Sequence, residues 1–460
     1  MAQLVRGLGL GAAVSINVAN TIGTGVFLKA RVMTCNVGDP ISVMGVWLAA
    51  GLLVLAGALT YSELTAMIPE AGGEYAILRE TYGRRWGFLY GWTYIGVSRA
   101  ASLAAQAFSG AIFLNIITNG SFEGKLVAVA VVSIALMAVV NSLAVTATGR
   151  IASVLTAIKI CVVGGVGIAA FVFAQGNWSY WTMSNQGGAC IGVAESARGG
   201  FGGFSAAMLG ALWGFQGWQC LAPMVGEVRD PQRNIPRAYV YALLIVGSLY
   251  LFANASYFYA LPPSEIASVP LSSSVATEVL AKFLGPATAS LMAMGLLISS
   301  LGALHAGMAS GIRVPYAMAR DGLYFKVIDH LSPRTNVPVR SAILVAALSS
   351  LLAFTGNYDK LTDAAIFALW SFYGLTAASI FILRRRLPDA PRPYRVWGYP
   401  FVPALFLLAT AAILISTLIT SPVSSAYGVA FTIAGLPFYW YWSRSHDAVR
   451  SPIVEAPRTR

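Results

Sequence analysis

Residues 11–28 read GAAVSINVANTIGTGVFL, an apolar stretch that is long enough to cross a bilayer but is interrupted near its middle by Gly23, Thr24 and Gly25. Backbone N–H and C=O groups freed inside hydrocarbon cost roughly several kcal/mol each unless protein, water or a ligand receives them. The interruption therefore indicates a cavity that holds a ligand. Two glycines around a threonine let a second half-helix begin with free N–H groups and a hydroxyl, which suits an anion such as a carboxylate. A kink or a close helix contact is the alternative interpretation.

The composition around this stretch is that of an all-α polytopic membrane protein. The 460 residues are 57% hydrophobic and 10% charged, with a mean hydropathy of +0.69, which excludes an ordinary soluble globular protein. Windows of about 20 apolar residues predict twelve transmembrane helices, near residues 10–32, 41–67, 86–114, 125–147, 151–174, 203–226, 237–261, 283–318, 340–356, 361–383, 401–420 and 425–443. The first is expected to be retained, since it lacks a basic n-region and a small-residue cleavage site.

The net charge of +12 is distributed as a topology signal. Arginines crowd alternate loops and the C-terminal tail, whereas the opposite loops hold only Lys29, Arg31, Lys125, Arg198, Lys282 and Lys360. By the positive-inside rule, both termini are predicted to be cytoplasmic, as an even number of spans requires. We therefore expect a bilayer as the surrounding partner and no nucleic acid.

Neither the cysteines nor the histidines show metal-ligand spacing. The cysteines at positions 35, 161, 190 and 220 are scattered and are predicted to act as small apolar residues rather than as a disulfide or a metal set. We expect no metal and no cofactor.

A second interrupted helix lies five predicted spans after the first. Residues 204–220 read FSAAMLGALWGFQGWQC, in which glycine, polar and aromatic residues break an apolar helix at its midpoint. Glycine-interrupted spans at corresponding positions of two halves indicate an inverted-repeat transporter whose substrate lies at the midplane between half-helices.

Several motifs in order make the chain resemble the amino acid, polyamine and organocation transporter superfamily, within it the L-type amino-acid transporter branch and its bacterial relatives. They are IGTGVF at 22–27, GALTYSE at 57–63 leading to PEAGGEY at 69–75, EVRDPQRNIPRA at 227–238 and RDG at 320–322. The resemblance implies a five-plus-five inverted repeat with broken helices 1 and 6 and two appended helices. The corresponding segments are a first repeat at 1–174, a second at 203–383, appended spans at 401–443 and a cytoplasmic tail at 444–460.

The resemblance also implies roles for residues at the two breaks. Thr24 and Gly25 match the positions that meet the substrate carboxylate, and Gly23 permits the break. Carbonyls or walls around the substrate's ammonium group are implied at Thr21, Trp213, Phe215, Gln216 and Gln219. The position of Gln219 holds glutamate in the acid-resistance antiporters of the superfamily.

Trp213 matches an aromatic gate over the substrate, although a tryptophan in a span can also simply pack or sit in an interface belt. A bulky gate beside Phe215 and Trp218 favours a compact pocket for small or medium neutral amino acids.

Lys159 lies near the middle of the fifth predicted span, where an ammonium costs about 2.5 to 3.5 kcal/mol on insertion scales. In sodium-independent members of the resembled family, a lysine here takes the place of a coupling sodium and contacts spans 1 and 8, so Ser299 and Ser300 are its expected span-8 partners. Snorkelling toward Arg150 and the interface is the alternative. Arg99 in the third span is interpreted as scaffold, paired with backbone carbonyls, rather than as a substrate contact.

These observations predict a sodium-independent secondary transporter of neutral L-amino acids that works by alternating access in a cell (inner) membrane, as an exchanger or coupled to protons. The alternative is a cationic amino-acid or polyamine antiporter, but such a substrate would favour a buried carboxylate, and acids are nearly absent from the predicted spans. That scarcity also argues against a carboxylate proton relay.

An enzyme is not expected, because the spans hold no HExxH, GxSxG or paired aspartates. The loop at 116–124 has no cysteine, whereas eukaryotic L-type transporters attach a heavy chain through one in that loop. No covalent heavy-chain partner is therefore expected.

Overall fold

The computed structural model describes residues 4–23, 25–270, 273–285, 288–355, 358–420 and 422–444. Over these ranges the regular structure is helical, apart from one isolated bridge between Leu8 and Val228. In chain order the α-helices are α1 Leu10–Thr21, α2 Gly25–Val37, α3 Pro40–Met67, α4 Glu74–Tyr82, α5 Arg84–Thr93, α6 Ala100–Ile117, α7 Leu126–Val140, α8 Val145–Phe173, α9 Gly200–Gly214, α10 Pro231–Ala260, α11 Pro263–Ser268, α12 Val275–Leu284, α13 Thr288–Gly311, α14 Arg313–Arg320, α15 Val339–Thr355, α16 Tyr358–Arg386, α17 Phe401–Thr420, α18 Pro422–Ile433 and α19 Leu436–Ser443. A π-helical segment, Tyr94–Arg99, joins α5 to α6.

Seven helical segments are long and apolar enough to cross a membrane: Pro40–Met67, Arg84–Ile117, Val145–Phe173, Pro231–Ala260, Thr288–Arg320, Phe367–Arg386 and Phe401–Ile419. Leu126–Val140 and Val339–Phe354 are shorter apolar helices. The chain is therefore a multi-pass membrane protein. The predicted first and sixth spans are not among these long helices, because α1 and α9 each stop partway through the span. The count of twelve spans stays a prediction.

The first interruption separates α1 from α2. The hydroxyl of Thr21 donates to the carbonyl of Asn17 over 2.8 Å, and Ile22 is extended, with φ −73° and ψ 95°. The helix then restarts at Gly25. Thr24, which the sequence analysis assigns to the carboxylate site, lies outside the described residues.

The second interruption follows α9, which ends at Gly214. Gly217 has φ +104°, and a Cβ there would lie 2.3 Å from Nδ2 of Asn20. Only glycine fits both this backbone conformation and this close approach. The unwound segment after α9 thus rests directly on the end of α1.

Helices α8, α10 and α13 surround α1, whereas α2 packs mainly on α9, and α3 packs along α10. This arrangement surrounds the ends of α1 and α9 with long helices, which is where irregular backbone is tolerated at membrane depth.

Three ion pairs hold acids of the quoted motifs. Arg384 Nη2 lies 2.7 Å from Glu63 Oε2, Arg313 Nε lies 2.7 Å from Glu227 Oε1, and Arg79 pairs with Asp321. Both side chains of the Arg313–Glu227 pair are buried. Removing one partner of such a pair would leave an uncompensated charge. Each of these motif acids is thus paired with an arginine from outside the motifs.

The cysteine prediction is wrong for two of the four residues. Cys35, near the end of α2, and Cys190, in the segment before α9, form a disulfide with their Cα atoms 5.6 Å apart. They are 155 residues apart in sequence, so their spacing gives no sign that the fold brings them together. Cys161 and Cys220 are free thiols.

Candidate functional site

The two helix interruptions meet at one tyrosine. The hydroxyl of Tyr250, on α10, lies 3.1 Å from the carbonyl oxygen of Thr21 and 2.9 Å from that of Gly214. Nδ2 of Asn20 also donates to the carbonyl of Gly217 over 3.2 Å. The carbonyl ends of α1 and α9 carry partial negative charge. Their convergence is a place for a cation such as an α-ammonium group.

The start of α2 lies against the same region. A Cβ on Gly25 would be 3.0 Å from Cα of Gly214 and 3.3 Å from Cζ3 of Trp213. The first N–H groups of a helix are free and suit an anion. Helix α2 therefore begins where a carboxylate could lie beside the carbonyl ends of α1 and α9.

Lys159 is directed into the protein and bonds the end of α1. Its Nζ donates to the carbonyls of Ala19 over 2.6 Å and Ile22 over 2.7 Å, and the residue is buried. The hydroxyl of Ser299 donates to the same Ile22 carbonyl over 3.2 Å. A cation is thus fixed at the carbonyl end of α1, with a hydroxyl from α13 beside it.

Ser300 is placed differently from Ser299. Its hydroxyl is buried and has no hydrogen-bond partner among the residues that the structure describes, and its Cβ lies 3.7 Å from where a Cβ on Gly110 of α6 would be. Ser300 thus faces α6, away from the group around Lys159.

The two glutamines after α9 share a partner on α16. Nε2 of Gln216 lies 3.3 Å from the hydroxyl of Tyr373, and Nε2 of Gln219 also donates to it. Within the described ranges, the Oε1 atom of Gln219 is buried without a hydrogen-bond partner. Tyr373 is a site residue that the sequence analysis missed, because nothing in the sequence around it marks its contact with a segment 154 residues away.

The aromatic residues at the second break have different surroundings. Phe215 is buried and packs on Trp47 and Tyr250, with ring centroids 5.9 and 5.3 Å away. Trp213 is 42% exposed and lies against Gly25 at the α2–α9 contact. Trp213 is thus partly exposed beside the start of α2, whereas Phe215 is packed in the interior between Trp47 and Tyr250.

Arg99 packs in a groove of α13. Its Nε donates to the hydroxyl of Tyr94 over 2.9 Å, and Cβ atoms on Gly307 and Gly311 would lie 3.1 Å from its Nη1 and 2.8 Å from its Cγ. In the described part of the chain, Arg99 thus hydrogen-bonds a tyrosine side chain rather than the backbone carbonyls expected from the sequence.

Glu74 is a buried acid that lies between the predicted second and third spans. It starts α4 and is 1% exposed. Burial raises its pKa to about 7. The backbone turns at Gly72 and Gly73, with φ of +98° and +55°, and the N–H of Gly72 donates to the carbonyl of Pro223. In the sequence, the paired glycines of PEAGGEY were the feature that could have indicated this turn and the buried acid after it.

Comparisons with known proteins find similar sequences along nearly the whole chain. The model of a family described as "Amino acid permease" matches residues 8–441. The chain is 31% identical over 440 residues to "Serine/threonine exchanger SteT" of Bacillus subtilis strain 168, covering 95% of this chain and 97% of that one. It is 29% identical over 447 residues to human "b(0,+)-type amino acid transporter 1", covering 95% and 88%. It is 29% identical over 450 residues to mouse "Large neutral amino acids transporter small subunit 2", covering 95% and 82%.

Proposed function

Because this chain belongs to the amino acid permease family, we propose that it is a sodium-independent secondary transporter that exchanges neutral L-amino acids across the cell membrane by alternating access. The observation that carries the proposal is the meeting of two interrupted helices beside a buried lysine. Relatives over nearly the whole chain are a serine/threonine exchanger and neutral amino-acid transporters by name. These names support transport rather than catalysis.

The proposed architecture has twelve transmembrane helices in a five-plus-five inverted repeat, with repeats at 1–174 and 203–383, appended spans at 401–443 and a cytoplasmic tail at 444–460. Its support is that α1 with α2 and α9 break five predicted spans apart and that the breaks contact each other. Discontinuous helices of this kind form midplane substrate sites in transporters.

The substrate's two charges have separate places in this proposal. The carboxylate binds the start of α2, at Thr24 and Gly25, with Gly23 permitting the approach. The α-ammonium binds carbonyls at the ends of α1 and α9, including that of Thr21, with Gln216, Gln219 and Tyr373 as the adjoining polar wall. A zwitterion is then held by helix ends without a charged side chain touching it.

Sodium independence follows from the position of Lys159. Its ammonium group occupies the carbonyls of Ala19 and Ile22, which are the kind of ligands that a sodium ion would take. A covalently attached cation holds the end of α1 at any sodium concentration.

The proposed orientation places both termini in the cytoplasm. The Cys35–Cys190 disulfide lies at the end of α2 and in the segment before α9, both on the outward side in this topology. That side is the one on which disulfides persist.

Counterflow in proteoliposomes tests the proposal. Vesicles loaded with unlabelled serine, alanine or leucine should accumulate the labelled amino acid, with equal rates in sodium and in choline buffers. If internal arginine or putrescine accelerates the uptake of label and no internal neutral amino acid does so, the protein is instead a cationic antiporter. Accumulation without internal substrate but with an inward pH gradient would identify proton coupling.

A further inference from the structure

Lys29 lies inside the helical region, although the sequence analysis placed it in an outward loop. It is one turn after Gly25 on α2, and its Nζ is 4.6 Å from the ring centroid of Trp213 on α9. A Cβ on Gly210 of α9 would lie 3.8 Å from Cδ of Lys29. The side chain thus runs along the contact between α2 and α9.

The ammonium group of Lys29 has no acidic neighbour in the described part of the chain, where no carboxylate oxygen lies within 4.0 Å of it. It lies over the face of Trp213 in a cation–π interaction. The same indole reaches the start of α2, where its Cζ3 is 3.3 Å from a Cβ position on Gly25. One ring therefore borders both the cation and the proposed carboxylate site.

We propose that Lys29 excludes substrates with cationic side chains from the pocket. The proposal rests on the proposed function, because it assigns a selectivity to that same site. The substrate's own ammonium group binds at the carbonyl ends of α1 and α9, so its side chain is the part that can approach Trp213. A neutral side chain meets the apolar indole there, whereas a guanidinium or ammonium group meets a second cation.

Repulsion at this place is large enough to decide selectivity. Two like charges roughly 8 Å apart, at an effective dielectric constant of about 20, weaken binding by about 30-fold. Removing the charge from Lys29 should recover most of this factor for arginine and none of it for serine or alanine.

The test is competition of labelled serine counterflow by arginine and by alanine in proteoliposomes that contain wild type, Lys29→Met or Lys29→Arg. Lys29→Met keeps the length of the apolar stem, and we expect it to lower the inhibition constant of arginine, relative to that of alanine, by about 10-fold or more. Lys29→Arg should keep the wild-type ratio. The control Lys282→Met removes a cation from the exposed pair with Glu265, whose Nζ–Oε2 distance is 3.2 Å, and should leave the ratio unchanged.

An unchanged arginine-to-alanine ratio in Lys29→Met would overturn the inference while leaving the proposed function intact, provided that wild type exchanges serine. Failure of wild type to exchange any neutral amino acid would overturn the proposed function instead. If Lys29→Met elutes as an aggregate in detergent, Lys29→Gln takes its place with the same criterion.

Discussion

Replacing Lys159 with alanine should reduce serine exchange by roughly one to two orders of magnitude. The change removes two hydrogen bonds from the ammonium group to the carbonyls of Ala19 and Ile22, at 2.6 and 2.7 Å. At about 0.6 kcal/mol for an average interhelical polar contact in a membrane, the loss is about 1.2 kcal/mol, or about 8-fold. At about 1.5 kcal/mol for a bond to a charged group, it is about 3 kcal/mol, or about 150-fold.

The assay is counterflow in proteoliposomes normalised to the amount of inserted protein. Lys125→Ala, which removes an exposed cation just before α7, is the control and should retain wild-type rates. Ser299→Ala removes one hydroxyl from the shared Ile22 carbonyl, so we expect a smaller loss, not additive with that of Lys159→Ala. A monodisperse Lys159→Ala protein with less than a threefold loss would refute the view that this ammonium group holds α1 in its working position.

Gly25→Val should abolish substrate binding in a scintillation proximity assay, because a Cβ at this position would lie only 3.0 Å from Cα of Gly214. The control Gly45→Val has open space around its Cβ and should bind substrate normally. Equal substrate affinity in both variants would contradict the assignment of the carboxylate site to the start of α2. Maleimide-polyethylene glycol should label two cysteines of the denatured, unreduced protein and four after reduction, because Cys35 and Cys190 are bonded; four labels without reductant would disprove the disulfide. Burial raises the pKa of Glu74 from 4.5 to about 7, so the folded state binds the proton more tightly than the unfolded state does. The folded state therefore loses stability as the pH rises from about 4.5 to about 7, by up to about 3 kcal/mol in total. Glu74→Gln should therefore raise the melting temperature more at pH 8 than at pH 5, and an equal shift at both would show that the carboxyl does not titrate there.

The sequence located the helix breaks well because their cause is local. Gly23 and Gly25 in one span, and Gly214 and Gly217 in another, interrupt apolar stretches that would otherwise be continuous. Lys159 was recognisable for a similar reason, since an ammonium group in an apolar span needs a partner. Its partners at the end of α1 were implied by the family resemblance, and the structure places them at hydrogen-bond distance.

Other features depend on contacts between distant segments and left little local trace. Tyr373 joins α16 to the glutamines after α9, and Cys35 meets Cys190 across 155 residues. Glu74 lies between the predicted second and third spans, yet it is buried just after the turn at Gly72 and Gly73, which packs against Ala222 and Pro223. The scarcity of acids in the spans therefore does not describe the acids in the folded interior.

The position of Lys159 also bears on what drives transport. An ion gradient does work only if the ion leaves its site during the cycle, and an ammonium group tethered to α8 cannot cross the membrane. While it stays charged, the carbonyls of Ala19 and Ile22 are occupied in every state that keeps this contact. The substrate must then use other carbonyls, such as that of Thr21 beside Tyr250. With no mobile cation at this position, the site does not couple transport to a sodium gradient, which agrees with the proposed exchange of amino acids. A sodium-dependent rate in wild type would break this chain of reasoning at its first step.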